Sequence, residues 1–580
     1  MRISGSGRSS TMSTQDVILS DLSVCLPGSA LTRSPRQPGS WMLFDYETKA
    51  AGDLPAISGT MVYGAGRLSS PPLSLPLPVE GWYSIYLGCW HDIHAGGSQL
   101  RLQLSDDRFY RQVEPEVVRP KDGDFPGHTF GPGEATEVFW RVAHLSSSSL
   151  RIDRVRLFNE LAGRGVQAAD RDACLAWVRL RPATRADRNR YEGKGDTETP
   201  ATQFGMYDNG NWFQKGCVTD DDLRASIDWF ADTDMTRVLW GCYSNEGACY
   251  PSRIAEPMAR DPEVTRCVQE FLARGVDPLA LALAHAAEVG VGLYPSYRIG
   301  GRRAAPTVLT TNEMPFFDAN QDKLCVAADG TPTCHYSFAY AEVRQYFTDL
   351  LREVVETYDV PGVHFLFVRS NPFALYEDKT LEEYRQAHGT DPRDLPEDDP
   401  TWWIHRAEYL NQFVRGLRSM LDEVGEAKGR RLELAVSVPP LDNGPAWCVD
   451  GATWAREGLV DYLIIHAGGI LSVDGVHQYR EAIAGSETEL IVDFYPRRMP
   501  ARARLLRALE YYEAGAEGFC FWDGQSRVAR ASEFATGRLL GHRTDLARWA
   551  QEMEDPFRVV PLRTLQGYSM DRRYWTLTSG

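Results

Sequence analysis

The clearest hydrophobic pattern in the chain lies between residues 337 and 369, where a helical stripe precedes a short apolar run. Apolar residues recur at spacings of three and four from Val343 to Val355, which predicts an amphipathic helix. The next run, Val363 to Val368, is mostly apolar and stops at Arg369. A strand that is apolar on both faces is typical of a parallel sheet covered by helices. The segment therefore predicts one α/β unit.

The same alternation of helical patterns and strand-like runs recurs from about residue 200 to about residue 550. Eight such units predict a (β/α)8 TIM barrel with insertions, in which active sites lie at the carboxyl ends of the strands. A doubly wound open sheet is the alternative, but no Gly-rich fingerprint follows a strand. The barrel is therefore favoured. The eight runs are 204–208, 237–240, 291–294, 363–368, 432–437, 461–466, 490–495 and 518–523.

The first 185 residues follow a different pattern, with short β-branched and aromatic runs between Gly, Pro and Ser clusters. The run Leu100 to Leu104 alternates strictly between apolar and polar residues, and no helix-period segment interrupts the series. Residues 1–185 therefore predict a jelly-roll-like β-sandwich, a candidate carbohydrate-binding module. Residues 186–203 are charged and predict a linker before the barrel of residues 204–550. Residues 551–580 keep apolar side chains and predict an extension that packs back on the protein.

Composition and motif content limit the classes of partner and cofactor that we expect for this protein. The formal net charge is −17 and no basic stripe stands out, which argues against nucleic acid as a partner. No apolar run is long enough to span a bilayer, and the amino terminus lacks the hydrophobic core of a secretory signal, so a cytoplasmic protein is favoured. There is no HExxH motif and no paired His or Cys spacing, so we expect neither a metal nor a cofactor. The sequence does not indicate an oligomeric state.

Several short motifs of the predicted barrel resemble those of a known family. Tyr336 to Arg344 precedes a long helix, and Tyr358 to Arg369 contains a strand that ends in arginine. In these segments the chain resembles the glycosyl hydrolase-like 10 family, over roughly residues 204–530. The resemblance implies a TIM barrel that acts on carbohydrate, often with an added β-sandwich. Further similar segments are Tyr250–Arg253, Gly389–Asp394, Trp402–Ala407, Trp454–Asp461, Tyr495–Pro500 and Tyr511–Gly518.

One position departs from the family pattern. In the family, the fourth strand commonly ends in an acidic residue just before an aromatic residue and the arginine. Here Leu366 occupies that place. A leucine cannot serve as nucleophile, acid or base, whereas ordinary glycoside hydrolysis uses two Asp or Glu residues that flank the bond. Either other strands supply the carboxylates, or the chemistry differs, or the barrel only binds its ligand.

Three carboxylates at predicted strand ends are candidates for catalysis. Asp208 ends the first strand, Asp493 lies in the seventh, and Asp523 follows the eighth. Tyr495 is two residues beyond Asp493 and therefore shares its face of the strand. His466, at the end of the sixth strand, is a candidate proton donor or acceptor near neutral pH. The structural alternatives are a turn or helix cap for the first and third aspartates and an ion pair for Asp493.

A second group of residues would bind substrate at the mouth of the barrel. Guanidinium groups at strand ends clamp carboxylates or sugar hydroxyls, aromatic rings stack on sugar rings, and a loop carboxylate is a further candidate acid. The structural alternatives are ordinary packing and charge neutralisation at the rim. These candidates are Arg298, Arg369, Trp240, Glu246, Trp212 and Trp522.

The sequence leaves three functions open. The main hypothesis is a glycoside hydrolase-like enzyme that acts on an oligo- or polysaccharide, with Asp493 and one further aspartate as its carboxylates. The second is a carbohydrate-binding barrel that has lost catalysis, with Leu366 as the mark of that loss. The third is a lyase on acidic sugars, with Tyr495 or His466 as the base and an arginine to neutralise the substrate carboxylate. All three predict carbohydrate as the ligand.

Overall fold

The computed structural model describes most of the chain. Among the helices of the described residues, none combines the length and the apolar character that a membrane span requires. The described ranges are 15–34, 37–65, 70–90, 99–114, 133–154, 156–158, 168–170, 172–191, 200–207, 219–231, 233–244, 247–258, 262–299, 315–368, 372–396, 398–495, 499–522, 535–554 and 556–570.

The amino-terminal region is a sandwich of two sheets around one apolar core. Trp41 and Trp140 of the larger sheet and Leu102 and Ile152 of the smaller sheet are buried in the same cluster. The smaller sheet has the order Leu73–Pro76, Ser149–Arg154, Leu100–Leu104, Arg111–Val113. The main path of the larger sheet runs Val17–Leu19, Trp177–Pro182, Glu80–Trp90, Glu134–Ser146, Phe557–Leu565, Trp41–Thr48, Ser58–Gly64, Ala173–Leu175. Short strands Leu31–Thr32, Arg156–Phe158, Ala168–Asp170 and Tyr568–Ser569 complete the region.

A strand from the end of the chain completes the larger sheet. Phe557–Leu565 pairs antiparallel with Glu134–Ser146 on one side and with Trp41–Thr48 on the other. Its Arg558 Nε lies 3.2 Å from Oε1 of Glu137, a buried carboxylate on the neighbouring strand. Because the strand forms the middle of the sheet, the sandwich is assembled from both ends of the described chain.

The predicted (β/α)8 barrel is confirmed. Eight parallel strands form a closed ring, because the first strand pairs with both the second and the eighth. The strands, in order, are Thr202–Tyr207, Arg237–Ser244, Gly292–Arg298, Gly362–Leu366, Glu433–Val438, Tyr462–Ile465, Glu489–Asp493 and Gly518–Trp522.

Helices connect these strands and cover the outside of the ring. Their starts follow the capping rules: the Thr219 side chain accepts from the Asp222 N–H, and the Asp399 side chain accepts from the Thr401 N–H. The apolar faces of the helices and the outward-facing strand residues form one large buried cluster. Within the described residues, the α-helices of the barrel region are Asp220–Asp228, Pro262–Ala273, Pro278–Val289, Pro315–Ala319, Ala341–Thr357, Asp378–His388, Pro400–Lys428, Gly451–Arg456, Val473–Ala482, Ala501–Glu513 and Leu546–Glu552.

The first part of the segment predicted as a linker is helical and touches the sandwich. Arg185–Tyr191 forms a helix whose start is capped, because the Thr184 N–H donates to Asp187 Oδ2 at 2.8 Å and the Asp187 N–H donates back to Thr184 Oγ1 at 3.1 Å. The Arg188 guanidinium lies 5.3 Å from the centre of the Trp82 ring. The chain that leaves the sandwich is therefore held against it at its start.

The sandwich also contacts the outer helices of the barrel. The ring centroids of Phe109, in the sandwich, and His285, on helix Pro278–Val289, are 5.6 Å apart. Arg190 lies 3.4 Å from Glu552 of the last barrel helix. Both contacts lie on the outer helices of the barrel, away from the side chains that fill its interior.

Candidate active site

The inner wall of the barrel follows from alternation along its strands. Successive side chains of a strand point to opposite faces, so every second residue faces the interior. Ile464 and Ile491 are interior residues, and the same parity turns His466 and Asp493 inward at the carboxyl ends of the sixth and seventh strands. The interior cluster consists of Phe204, Met206, Leu239, Tyr294, Leu366, Val368, Ala435, Tyr462, Ile464, Ile491, Cys520 and Trp522.

His466 and Asp493 form a buried hydrogen-bonded pair at this end of the barrel. His466 Nδ1 and Asp493 Oδ2 are 2.6 Å apart, and the two residues are only 5% and 2% exposed. The other carboxylate oxygen, Asp493 Oδ1, accepts from the backbone N–H of Trp522 at 3.3 Å. When the carboxylate is ionised, Nδ1 is the donor of this hydrogen bond, because an ionised carboxylate only accepts. Among the described residues the other ring nitrogen, Nε2, has no hydrogen-bond partner.

Aromatic rings surround the imidazole. The Trp522 ring lies 4.1 Å from the His466 ring at 30°, and the Tyr495 ring lies 6.2 Å away. Trp522 is 1% exposed, so it packs the imidazole in place and has no free face for a sugar ring. Trp447, in the loop after the fifth strand, is partly buried and packs against the interior cluster. Tyr495 and Trp447 are both partly exposed at this end of the barrel, in contrast to Trp522.

One layer deeper, His364 is a fully satisfied structural group. Its Nδ1 lies 2.7 Å from Ser296 Oγ and its Nε2 lies 2.9 Å from Ser437 Oγ. Burial lowers the pKa of His364 to about 3, because the charged imidazolium would lose its hydration. The ring is therefore neutral at physiological pH, and both of its nitrogens are occupied.

Leu366 faces the interior of the barrel, at the place where the family pattern has an acid. It is 0% exposed, belongs to the interior cluster, and is in register with Arg298 and Ser437 on the neighbouring strands. An acid there would turn toward the mouth. With leucine in its place, Asp493 is the carboxylate that the described strand ends direct into the upper barrel.

The amino-terminal end of the barrel holds a different carboxylate. Glu433 accepts from the hydroxyl of Tyr294 and, at 3.3 Å, from the hydroxyl of Tyr462. The Arg237 guanidinium lies 5.2 Å from the centre of the Tyr462 ring, and burial raises the pKa of this tyrosine to about 12. These groups close the end of the barrel opposite His466 and Asp493.

One residue predicted to bind substrate lies on the other face of its strand. Trp240 is 1% exposed and belongs to the core between strands and helices, with its ring centroid 4.9 Å from that of Tyr207. Its neighbour Leu239 faces the interior instead. A run that is apolar on both faces does not show which residues point inward, so the sequence could not fix the orientation. Trp240 is a packing residue.

The remaining predicted residues divide into described and undescribed positions. Arg298 ends the third strand and is half-buried, on the same face of the strand as Ser296.

Trp447, which the sequence reasoning missed, follows a strand and an Asn-Gly-Pro turn, the same signal that marked the other aromatic candidates. Within the described ranges no three His, Cys, Asp or Glu side chains gather as a metal site requires. Outside the described residues lie Asp208, Asp523, Arg369, Glu246 and Trp212.

Comparison with family models gives a match over residues 206–468, to the family described as glycosyl hydrolase-like 10. The predicted family resemblance is confirmed. The match begins in the first strand and ends just beyond His466, so it includes Leu366 but not Asp493. The match runs from the first strand of the barrel to the end of the sixth and covers less than half of the 580 residues, while the strand pairing shows the closed (β/α)8 ring directly. No curated protein sequence matches the chain.

Solved glycoside hydrolases resemble the chain distantly. The α-L-fucosidase isoenzyme 2 of Paenibacillus thiaminolyticus is 12% identical with a TM-score of 0.39, over 61% of this chain and 50% of the fucosidase, so the match spans half the length of that enzyme. The β-amylase catalytic domain of Paenibacillus polymyxa is 8% identical with a TM-score of 0.38, over 61% and 98% of the two chains. The exo-β-N-acetylglucosaminidase of Vibrio harveyi is 11% identical with a TM-score of 0.36, over 69% and 63%. No residue role in this chain rests on them.

Proposed function

We propose that this protein is a glycoside hydrolase-like enzyme that acts on a glycosidic linkage of an oligo- or polysaccharide. The reaction is assigned to the barrel, residues 204–550, at the carboxyl ends of its strands. The family match over residues 206–468 supports a carbohydrate as the substrate. The observation that carries the proposal is the hydrogen-bonded pair of His466 and Asp493, which supplies a positioned group able to move a proton.

Proton transfer is assigned to His466. Its Nδ1 is held by Asp493, so Nε2 is the nitrogen that is left for the glycosidic oxygen or for an attacking water. Asp493 acts as a positioning residue: both of its oxygens already accept hydrogen bonds, and its charge stabilises the imidazolium that forms when Nε2 takes a proton. A nucleophilic role for Asp493 is less well supported, because one carboxylate oxygen would first have to leave its partner.

Hydrolysis also needs a carboxylate that reaches the scissile bond, a role that Asp493 as a positioning residue does not fill. Asp208 and Asp523 remain the candidates, because the strands that precede them, the first and the eighth, pair with each other and the eighth pairs with the seventh. The carboxyl ends of these strands therefore lie on the same side of the mouth as Asp493. Substrate contacts are proposed for Arg298, Arg369, Glu246, Trp212, Tyr495 and Trp447.

A second candidate function is a lyase that breaks a linkage of an acidic sugar. The observation that favours it is the 6.2 Å separation of the Tyr495 and His466 rings. β-Elimination needs a base to remove the proton beside the sugar carboxylate and an acid to protonate the leaving oxygen, and a phenol and an imidazole can fill these two roles. Arg298 would neutralise the substrate carboxylate.

The test is a panel of neutral and acidic polysaccharides incubated with the parent protein. New reducing ends without a gain in ultraviolet absorbance support hydrolysis, whereas reducing ends that appear with the absorbance of an unsaturated sugar support the lyase. Binding without any product favours a barrel that only binds carbohydrate, the reading marked by Leu366, and contradicts both enzymes.

A matched pair of variants assigns any turnover to the proposed site. His466→Ala is expected to abolish turnover. His477→Ala removes a histidine whose side chain is 64% exposed on helix Val473–Ala482, and it is expected to keep full activity.

A further inference from the structure

A groove of about 570 Å³ crosses the outer face of the smaller sheet of the sandwich. The sheet turns its leucines and isoleucine into the sandwich core, so the alternate residues face outward. Arg151 is in register with Ser74 on one side and with Gln103 on the other, which places one row of polar side chains across three strands. The groove is lined by Leu26, Pro27, Pro72, Leu73, Ser74, Gln103, Leu104, Ser105, Ser149 and Arg151.

The two sides of the groove differ in chemistry. Along one side run the apolar surfaces of Leu26, which is 58% exposed, Pro27 and Pro72. Along the other, hydroxyl, amide and guanidinium groups supply hydrogen-bond donors. A sugar ring has the same division, with C–H groups on its faces and hydroxyls around its edge. The groove therefore matches a glycan chain in both apolar and polar character.

Positive charge gathers at one edge of the groove, where Arg151 lines it and Arg101 lies on the same outward face of the neighbouring strand. The guanidinium groups of Arg101 and Arg151 lie 4.2 and 5.2 Å from the centre of the Tyr110 ring. Asp153, in register with Arg101, attracts both guanidinium groups and offsets part of their charge, but no described carboxylate lies within ion-pair distance of either one. Asp153 instead accepts from the Arg154 N–H at 2.8 Å. In the described part of the chain the Tyr110 hydroxyl is buried without a hydrogen-bond partner.

We propose that this groove binds an acidic glycan, a chain that carries uronate carboxylates. The Tyr110 ring holds the faces of the two guanidinium groups, so their N–H edges are left to bind carboxylates in the forked geometry that arginine prefers. Two arginines in a protein of net charge −17 do not provide the many phosphate contacts that nucleic acid binding needs. The site is separate from the barrel and does not depend on the proposed reaction.

The experiment measures binding of the full-length chain to polygalacturonate and to a neutral β-glucan, by calorimetry at low and at high salt. The expected result is tighter binding of polygalacturonate, which weakens as salt rises. Arg151→Gln and Arg101→Gln should each weaken it about tenfold or more, because each removes a charge-assisted hydrogen bond. Thermal melting of each variant confirms that the sandwich is still folded.

Two controls keep this site distinct from the barrel. Arg563→Gln removes an arginine whose side chain is 72% exposed on the larger sheet, and it should leave binding unchanged. Asp493→Asn, in the barrel, should also leave binding to the groove unchanged. The proposal is overturned if the parent binds neither glycan, if it binds both equally, or if folded Arg151→Gln and Arg101→Gln bind polygalacturonate like the parent. Loss of binding in Asp493→Asn would place the site in the barrel and overturn it as well.

Discussion

The imidazole of His466 and the carboxylate of Asp493 meet at 2.6 Å although 27 residues separate them in the chain. They meet because the sixth and seventh strands are neighbours in the barrel and each residue has the inward parity of its strand. Each lies two positions past the interior isoleucine of its strand, Ile464 or Ile491, at the carboxyl end. Barrel geometry alone therefore orients the imidazole and leaves its Nε2 without a hydrogen-bond partner among the described residues.

Leu366 is expected to contribute packing and no chemistry. Leu366→Met keeps the volume and should lower the free energy of unfolding by less than about 1.5 kcal/mol while leaving turnover unchanged. Leu366→Ala leaves a cavity among fully buried neighbours and should cost about 2–5 kcal/mol. Urea unfolding of both variants, beside a turnover assay, checks this. If Leu366→Met lost turnover while its stability stayed normal, Leu366 would touch substrate, and the packing assignment would be wrong.

His364 is expected to make the barrel sensitive to acid. Its pKa in the folded protein is lowered to about 3, from an ordinary value of 6.5, so between these limits the unfolded state binds more protons than the folded state. The stability that depends on neutral His364 is therefore fully present above pH 6.5 and is lost as the pH falls toward 3. Between pH 7 and pH 4.5 this single group should cost roughly 2–3 kcal/mol.

The measurement is urea unfolding of the parent and of His364→Asn at both pH values. Asparagine retains hydrogen-bonding capacity toward Ser296 and Ser437 but does not titrate. The variant is expected to be less stable than the parent at pH 7 and to lose less free energy of unfolding between pH 7 and pH 4.5. The other titrating groups are the same in both proteins, so their contributions cancel in the comparison. Equal losses in the two proteins would show that His364 is not buried in a neutral form.

Glu137 is expected to hold the sandwich together through buried charge. Its carboxylate lies 2.7 Å from Arg179, with both side chains 0% exposed, and it also accepts from the Trp177 indole N–H at 2.9 Å. Glu137→Gln leaves the arginine without its buried counter-charge and should cost about 3 kcal/mol. The matched control, Glu423→Gln, removes a partner of Arg352 that is 67% exposed and should cost no more than about 1 kcal/mol.

Thermal unfolding followed by the near-ultraviolet signal of the sandwich tryptophans distinguishes the two variants. A melting temperature for Glu137→Gln as high as that of the control would mean that Asp16 and Asp53, which lie 3.1 and 3.3 Å from Arg179, neutralise it without Glu137.

The sequence predicts the order of the strands, but it predicts only in part which residues of each strand point into the barrel. The sequence run 490–495 and the observed strand Glu489–Asp493 overlap closely, and all eight predicted runs correspond to barrel strands. Asp493 and Tyr495 were placed on one face by simple alternation. Trp240 was misplaced because its run is apolar on both sides, and only the packing of Tyr207 and the helices beside it decides which face is inner.

Long-range partners left no local signal. Nothing in the pattern of Phe557–Leu565 indicates that it pairs with Glu134–Ser146, more than 400 residues earlier, since any half-buried strand would look alike. Similarly, the sequence offered Asp493 as a catalytic carboxylate but did not show that His466 and the Trp522 N–H would occupy both of its oxygens. Only the closed barrel fixes those distances.

We propose that His466 and Asp493 act in catalysis as one unit. The decisive measurement is kcat/KM for the parent, His466→Ala, Asp493→Asn and the double variant on a substrate found in the polysaccharide panel, with Asp474→Asn, on the exposed first turn of helix Val473–Ala482, as the matched control. We expect each single variant to lose about a hundredfold or more. The double variant should lose no more than the worse single one, because a carboxylate without its imidazole has nothing left to orient. Full activity in either folded single variant, or losses that multiply in the double variant, would contradict the account.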